Sequence, residues 1–108
     1  MHEVEKYLCN LIEKEEKLFN KNIKQFYYEY KIVFTPIFFP TFYKENFFLV
    51  LKFKNFGIYY NDIEEDFGIC RIDNDECVKY AEFFDDLTPT IQKFKDFILN
   101  KRLDELVS

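Results

Sequence analysis

The sequence Asn-Phe-Phe-Leu-Val-Leu-Lys-Phe-Lys at residues 46–54 constrains the fold more than any other stretch of the chain. It combines large apolar side chains with polar residues at both ends, which predicts a central β-strand. Successive side chains of a strand point to opposite faces. One face should receive Phe47, Leu49, Leu51 and Phe53, and the other Phe48 and Val50. A strand that is apolar on both faces needs cover on both sides.

The first part of the chain predicts a helix, a strand and an irregular segment. Residues 3–20 place apolar side chains at helical spacing among charged ones, which predicts an amphipathic helix. Residues 26–34 alternate in the manner of a half-buried strand. Because Pro36 and Pro40 each remove a backbone donor, we expect residues 35–45 to be an edge or a loop. The aromatic residues of that segment, expected to form a lid over the sheet or an exposed patch, are Phe38, Phe39, Phe42 and Tyr43.

The second part of the chain predicts a meander of strands and a last helix. Residues 54–57 read as a hairpin turn, and strands are expected near residues 56–60, 67–72 and 77–82, the last with a helix as its alternative. A helix begins near Asp85, capped there or at Thr88. Short connections favour antiparallel order. The prediction is one α+β domain over residues 1–108, with an N-terminal helix, a four- to five-stranded antiparallel sheet and a C-terminal helix packed on one sheet face.

The residues that support catalysis or cofactor binding are scarce in this sequence. The only histidine is His2, and the only serine is Ser108. Two glycines cannot make a phosphate-binding loop, and the acidic run that starts at Asp62 has Phe67 where a calcium loop needs glycine. Three cysteines without closely spaced pairs favour reduced, packed thiols. We therefore expect no enzyme activity, no cofactor and no metal.

The net charge and the hydropathy of the chain argue against two classes of partner, nucleic acids and membranes. The net charge of −5 disfavours nucleic acid as a partner. No apolar run is long enough for a membrane-spanning helix, and residues 2–3 do not resemble the start of a signal segment. These features predict a cytoplasmic protein without membrane contact.

The negative charge is concentrated between residues 62 and 86. That window has ten acidic and two basic residues, a charge of −8, whereas the rest of the chain carries +3. The acidic residues that we predict to bind a partner are Asp62, Glu64, Glu65, Asp66, Asp73, Asp75, Glu76, Asp85 and Asp86. Such acids serve solubility in many proteins. They also suit a surface that attracts a basic protein and blocks the groove where a nuclease holds phosphates.

The order of an amphipathic helix, aromatic strands and an acidic turn, followed by Phe-Phe-Asp-Asp-Leu-Thr-Pro-Thr-Ile-Gln-Lys-Phe at residues 83–94, resembles small bacterial immunity proteins. These belong to contact-dependent inhibition and other polymorphic toxin systems, and the pattern is also similar to the C-terminal half of the SUKH superfamily. The resemblance implies a cytosolic protein that binds a cognate toxin and performs no chemistry.

Two other functions remain open at this point. One is a small-ligand domain with a curved sheet, in which Tyr28, Tyr30, Phe47 and Phe53 line an apolar pocket. The other is a phage-encoded inhibitor of a host nuclease, which would use the same acidic surface. The aromatic strands also allow an edge-paired homodimer as well as a monomer.

Overall fold

Three helices and five strands make up the chain in a computed structural model that describes residues 3–40 and 45–102. The helices are α1 (Glu3–Glu16), α2 (Lys21–Tyr30) and α3 (Leu87–Leu99). The strands are β1 (Lys31–Phe39), β2 (Glu45–Phe53), β3 (Phe56–Asn61), β4 (Asp66–Asp73) and β5 (Glu76–Asp85). The α+β class and the antiparallel sheet between N-terminal and C-terminal helices are confirmed, and residues 76–85 are a strand rather than a helix.

Helix α2 corrects the prediction of a strand that starts at residue 26. The side chain of Asn20 caps this helix by accepting a hydrogen bond of 2.9 Å from the backbone N–H of Ile23. Ile23 and Tyr27 lie one helical turn apart and are both buried. Residues 26–30 have aromatic side chains at four of five positions, so they fit both the alternation of a strand and the spacing of a helix. The N-cap at Asn20 favours the helix. The first helix ends at Glu16 and is therefore shorter than the predicted helix over residues 3–20.

Strand β1 extends past Pro36, where a loop or an edge was predicted. Pro36 lies opposite Phe48 of β2. On the other side of β1, the described residues pair with β5 only at Phe38 and Glu76, so the proline stands where the strand has an open edge. Phe39 is buried rather than part of a lid, and Phe38 is half-buried. The predictions for Phe42 and Tyr43 fall outside the described residues, as do those for His2 and Ser108.

The five strands form one sheet that closes into a barrel. Each strand pairs with the next in antiparallel order, and the single parallel bridge between Phe38 and Glu76 joins the first strand to the last. The interior holds side chains from all five strands: Ile37, Phe39, Phe47, Leu49, Tyr59, Cys70 and Cys77. The three cysteines are free thiols, as expected, and burial raises the pKa of Cys70.

The helices pack on the outer face of β2, β3, β4 and β5 and form a second and larger core there. This core contains strand residues such as Val50, Tyr60 and Ile69 together with buried residues of all three helices, among them Leu8 and Phe94. Helix α3 packs on β3, β4 and β5 and also contacts α1 and α2. The helices therefore hold one another and the sheet in place.

A bulge in β2 divides its side chains between the two cores and corrects the expected face. Leu49 pairs with Tyr59, but Leu51 pairs with Ile58, so one extra residue lies in β2 at this point. Phe47 and Leu49 enter the barrel, whereas Leu51 joins the helix-covered core. The four odd-numbered residues of this strand therefore do not share one face.

Gly68 makes room for the largest side chain in the barrel. A Cβ atom built on Gly68 would lie 2.5 Å from the hydroxyl oxygen of Tyr59 and 2.6 Å from its Cζ atom. The Tyr59 ring also lies 4.6 Å from the Phe39 ring and 6.1 Å from the Phe47 ring, measured between centroids. The aromatic packing inside the barrel thus depends on the missing side chain at residue 68.

The side chain that caps α3 is Glu15 of α1. The expected caps, Asp85 and Thr88, do not have this role. The N-cap residue is Asp86, whose side chain makes no capping hydrogen bond. Instead, Glu15 Oε1 accepts a hydrogen bond of 3.2 Å from the backbone N–H of Thr88. Glu15 is only 8% exposed, although it is charged. This contact connects the two terminal helices and places a carboxylate at the positive end of α3.

Replacing Glu15 with alanine should lower the free energy of unfolding by about 1–2 kcal/mol, because α3 loses its side-chain cap. Urea denaturation followed by circular dichroism measures this change. Glu13 of the same helix is exposed, so Glu13→Ala is a matched control and should change stability by less than about 0.5 kcal/mol. Equal effects of the two substitutions would contradict the capping role.

Replacing Gly68 with alanine should destabilise the fold by about 1–3 kcal/mol through overpacking against Tyr59. In a Tyr59→Leu background the atoms nearest to the added methyl group are absent. The same Gly68→Ala change should then cost measurably less, and a double-mutant cycle of unfolding free energies measures the difference. Strictly additive effects would show that residue 68 is not limited by Tyr59.

Candidate functional site

The nine acidic residues predicted to bind a partner lie at opposite ends of the barrel. Asn61 pairs with Asp66 and Phe67 pairs with Asp85, so the β3–β4 turn and the start of α3 share one end. Asp73 pairs with Glu76 at the other end of the same two strands. The eight residues of β4 separate the two ends by about 23 Å. The expected sharing of one sheet end by the first and last acidic segments is confirmed.

We call the larger group the acidic end. It consists of Asp62, Glu64, Glu65, Asp66, Asp85 and Asp86, with Glu3 from the first turn of α1, which lines the same pocket as Asp62 and Glu65. The sequence places Glu3 on a helix but carries no signal that brings it to this turn. That these residues bind a partner stays a prediction.

We call Asp73, Asp75 and Glu76 the far turn. Asp73 and Asp75 line an open groove of about 750 Å³ together with two basic residues, Lys52 and Arg71. The mixed charge of this groove makes it a weaker attractor for a basic surface than the acidic end.

The β3–β4 turn is held in shape by Asn61, which is buried. Its side-chain oxygen accepts hydrogen bonds from the backbone N–H groups of Ile63, at 2.9 Å, and Glu64, at 3.1 Å. An asparagine that binds the backbone two and three residues ahead fixes a turn. The turn therefore presents its carboxylates and the exposed side chain of Ile63 in a defined arrangement. Sequence reasoning did not single out Asn61, although its position before the acidic run is a turn signal.

The carboxylates of the acidic end have few partners. Across residues 3–40 and 45–102, none of them forms an ion pair with a lysine or arginine. Two accept hydrogen bonds: Glu65 from the Tyr7 hydroxyl at 3.5 Å, and Asp85 from the backbone N–H of Asp86 at 2.7 Å. The negative charge at this end is thus not compensated by the described part of the chain.

Two groups at the acidic end have raised pKa values. Burial, followed by the charges of Glu64 and Asp85, raises the pKa of Asp66. One carboxylate oxygen of Asp66 is also buried and has no hydrogen-bond partner. Burial raises the pKa of Tyr60 to about 12, with smaller contributions from Tyr7, Glu65 and further acids. Both shifts show a site in which burial, together with the neighbouring acids, makes additional negative charge unfavourable.

The pocket expected for a small ligand does not form from the four residues predicted for it. Phe47 lies inside the barrel, whereas the Tyr30 ring packs on the Phe53 ring on the outside, 5.4 Å away. Tyr28 is exposed on α2 and donates a hydrogen bond of 3.0 Å to Glu16. That prediction is wrong because α2 replaces the first half of the expected strand.

In the described part of the chain, no group of three or more histidine, cysteine, aspartate or glutamate residues could hold a metal ion. None of the described helices is both long and apolar enough to cross a membrane.

We compared the chain with family models, with curated proteins and with solved structures, and no match was found in any of the three. Its function must therefore be inferred from its own residues.

Replacing Asp66 with asparagine should stabilise the protein at pH 7. The pKa of Asp66 is higher in the folded than in the unfolded chain. The folded state therefore loses stability as the pH rises from the unfolded-state pKa to the folded-state pKa. The loss is complete above the folded-state pKa. The advantage of Asp66→Asn should therefore shrink as the pH falls through the folded-state pKa, and it should be lost below about 3.8, the ordinary value.

Unfolding free energies of the wild type and the variant between pH 3 and pH 7 measure this dependence. Asp75→Asn at the far turn is the matched control, because Asp75 is exposed. A difference between Asp66→Asn and the wild type that is constant over this pH range would contradict the assignment.

Proposed function

We propose that the protein binds the cation-rich surface of another protein through the acidic end. The observation that carries this proposal is the convergence of seven carboxylates from α1, the β3–β4 turn and the β5–α3 junction, with no ion pair among the described residues. Keeping like charges together costs free energy in the isolated protein. A basic partner would recover that free energy and would associate faster because of the attraction.

The partner that we propose is a nuclease toxin, and the function is its neutralisation. A nuclease holds phosphates with lysine and arginine side chains, and a set of carboxylates on a rigid turn is complementary to such a groove. The resemblance to immunity proteins supports the same function. It includes Asp85 and Asp86, which belong to the acidic end.

Exposed apolar groups among the carboxylates support a stable complex as well as fast association. Ile63 and Tyr7 are each 51% exposed, and Tyr7 donates its hydroxyl hydrogen to Glu65 of the turn. Burial of such side chains at the centre of an interface slows dissociation, whereas charges mainly accelerate association. The acidic end offers both kinds of group.

Two variants with equal changes in charge test this proposal. Asp62→Asn/Glu64→Gln/Glu65→Gln alters the acidic end, and Asp73→Asn/Asp75→Asn/Glu76→Gln alters the far turn. The partner used is a purified nuclease toxin domain with a basic phosphate-binding groove, and its association is measured by surface plasmon resonance at several salt concentrations. Cytochrome c serves as a basic protein without nuclease activity.

We expect the acidic-end variant to lower the association rate constant by about tenfold or more at low salt and to reduce its salt dependence. The far-turn variant should change it by less than about twofold at physiological salt, where charges farther than about 8 Å are screened. The wild type should also inhibit the toxin's nuclease activity. Equal effects of both variants, or toxin binding no tighter than that of cytochrome c, would contradict the proposal.

A further inference from the structure

A pocket of about 280 Å³ lies at the acidic end, between the first two turns of α1 and the β3–β4 turn. Its lining residues are Glu3, Val4, Tyr7, Tyr60, Asp62 and Glu65. The lining thus combines two phenol rings and three carboxylates with one small apolar side chain. Among the described residues, none of the lining side chains carries a positive charge.

Tyr60 has a polar group in this pocket that the protein does not use. The residue is only 1% exposed, and its ring packs on the Phe67 ring at 5.1 Å. Its hydroxyl group forms no hydrogen bond with any described residue. The hydroxyl oxygen is not fully buried, so it can be reached from the pocket. A ligand in the pocket that supplies a donor can therefore bind it.

Tyr7 forms a solvent-exposed part of the pocket wall. Its hydroxyl donates a hydrogen bond to Glu65 Oε1 at 3.5 Å, which orients both side chains. The side chain of Tyr7 is 51% exposed, so its ring remains accessible to a ligand. A cation over a tyrosine ring is stabilised by about 0.5–2 kcal/mol, depending on how far it is desolvated.

These groups together select a cation over any other ligand class. An anion would be repelled by the three carboxylates, and a neutral ligand would leave their charge uncompensated. A guanidinium group fits better than an ammonium group, because it is flat, can stack on a phenol ring and has five N–H donors in one plane. Its donors can reach carboxylates and a phenol oxygen at the same time.

We propose that this pocket holds one arginine side chain of the basic partner. This inference rests on the proposed function and deepens it, since it names the partner residue that anchors the complex. The guanidinium group donates hydrogen bonds to the Tyr60 hydroxyl oxygen and to the carboxylates of Asp62 and Glu65. The Tyr7 ring stacks on it, and Val4 contacts the aliphatic part of the side chain.

The raised pKa of Tyr60 agrees with this role. At a pKa of about 12 the hydroxyl keeps its proton near neutral pH, so its oxygen acts as a neutral acceptor. The bound cation would offset the charges of Glu65 and Asp62, which contribute to the shift.

A small-molecule probe tests the pocket without the partner. The probe is N-acetyl-L-arginine methylamide, and its neutral analogue of the same shape is N-acetyl-L-citrulline methylamide. We expect the arginine probe to shift the amide NMR signals of residues 4–7 and 60–65 saturably, with a dissociation constant on the order of millimolar. The citrulline probe should cause no saturable shift. Equal shifts from the two probes, or shifts located elsewhere, would overturn the inference.

Two substitutions separate specific binding from general attraction by charge. Tyr60→Phe keeps the ring and the charge but removes the acceptor, and it should weaken the arginine probe by about three- to tenfold. Tyr7→Leu removes the exposed ring and should also weaken the probe, at a position where a folding defect is not expected. Asp75→Asn, which lowers the negative charge at the far turn, should have no effect. Unchanged affinity in both tyrosine variants would refute the pocket.

The same variants distinguish the failure of this inference from the failure of the proposed function. Should the acidic-end variant lose the toxin while Tyr60→Phe and Tyr7→Leu bind it as the wild type does, only the arginine pocket is wrong. Should the arginine probe bind as expected while the acidic-end variant associates with the toxin at the wild-type rate, the proposed function is wrong and the pocket serves another basic partner.

Discussion

The narrow interior of a five-stranded barrel is the constraint on which the rest of this structure depends. Only a few side chains fit inside, and Phe39, Phe47 and Tyr59 occupy much of that space. Gly68 must stay without a side chain so that the Tyr59 ring fits. Apolar residues beyond this capacity have to be buried elsewhere, and the bulge after Leu49 directs the second half of β2 to the helix-covered face. Two cores in one small domain are the result.

The same constraint moves charged residues to the ends of the barrel. With the interior filled and helices packed on the outer face of β2, β3, β4 and β5, the turns between strands are places where many carboxylates stay in water. The antiparallel order then decides which turns meet. Asp66 and Asp85 come together because their strands are neighbours, not because they are close in sequence.

Much of the fold could be predicted because its signals are local. The apolar run of β2, the turns that follow it and the helical spacing in α1 and α3 each lie within a short stretch of sequence. Helix α2 was missed because aromatic residues at nearly every position satisfy both periodicities, and only the cap at Asn20 separates them. The bulge, the closing bridge and the cap of α3 by Glu15 depend on residues that are far apart in sequence, so no local pattern reveals them.

The candidate site also has one part that is visible in the sequence and one part that depends on contacts between distant residues. Charge counting identified six of the seven residues of the acidic end, because an excess of acidic residues is visible without a structure. The pocket was not predictable, since it forms only where the start of α1 meets the end of β3. Tyr7 and Tyr60 read as ordinary apolar positions of a helix and a strand. The two residues line one pocket only because of that contact.

The single bridge between Phe38 and Glu76 has a consequence for local unfolding. Each hairpin of the sheet is joined along much of its length, whereas the described residues of the first and last strands form one backbone bridge. Separation of these two strands should therefore require less free energy than any other opening of the sheet, and it leaves every hairpin intact. Because Glu76 belongs to the far turn, we expect such local opening at the opposite end of the barrel from the acidic end. The arrangement of the acidic end does not depend on the contact between the first and last strands.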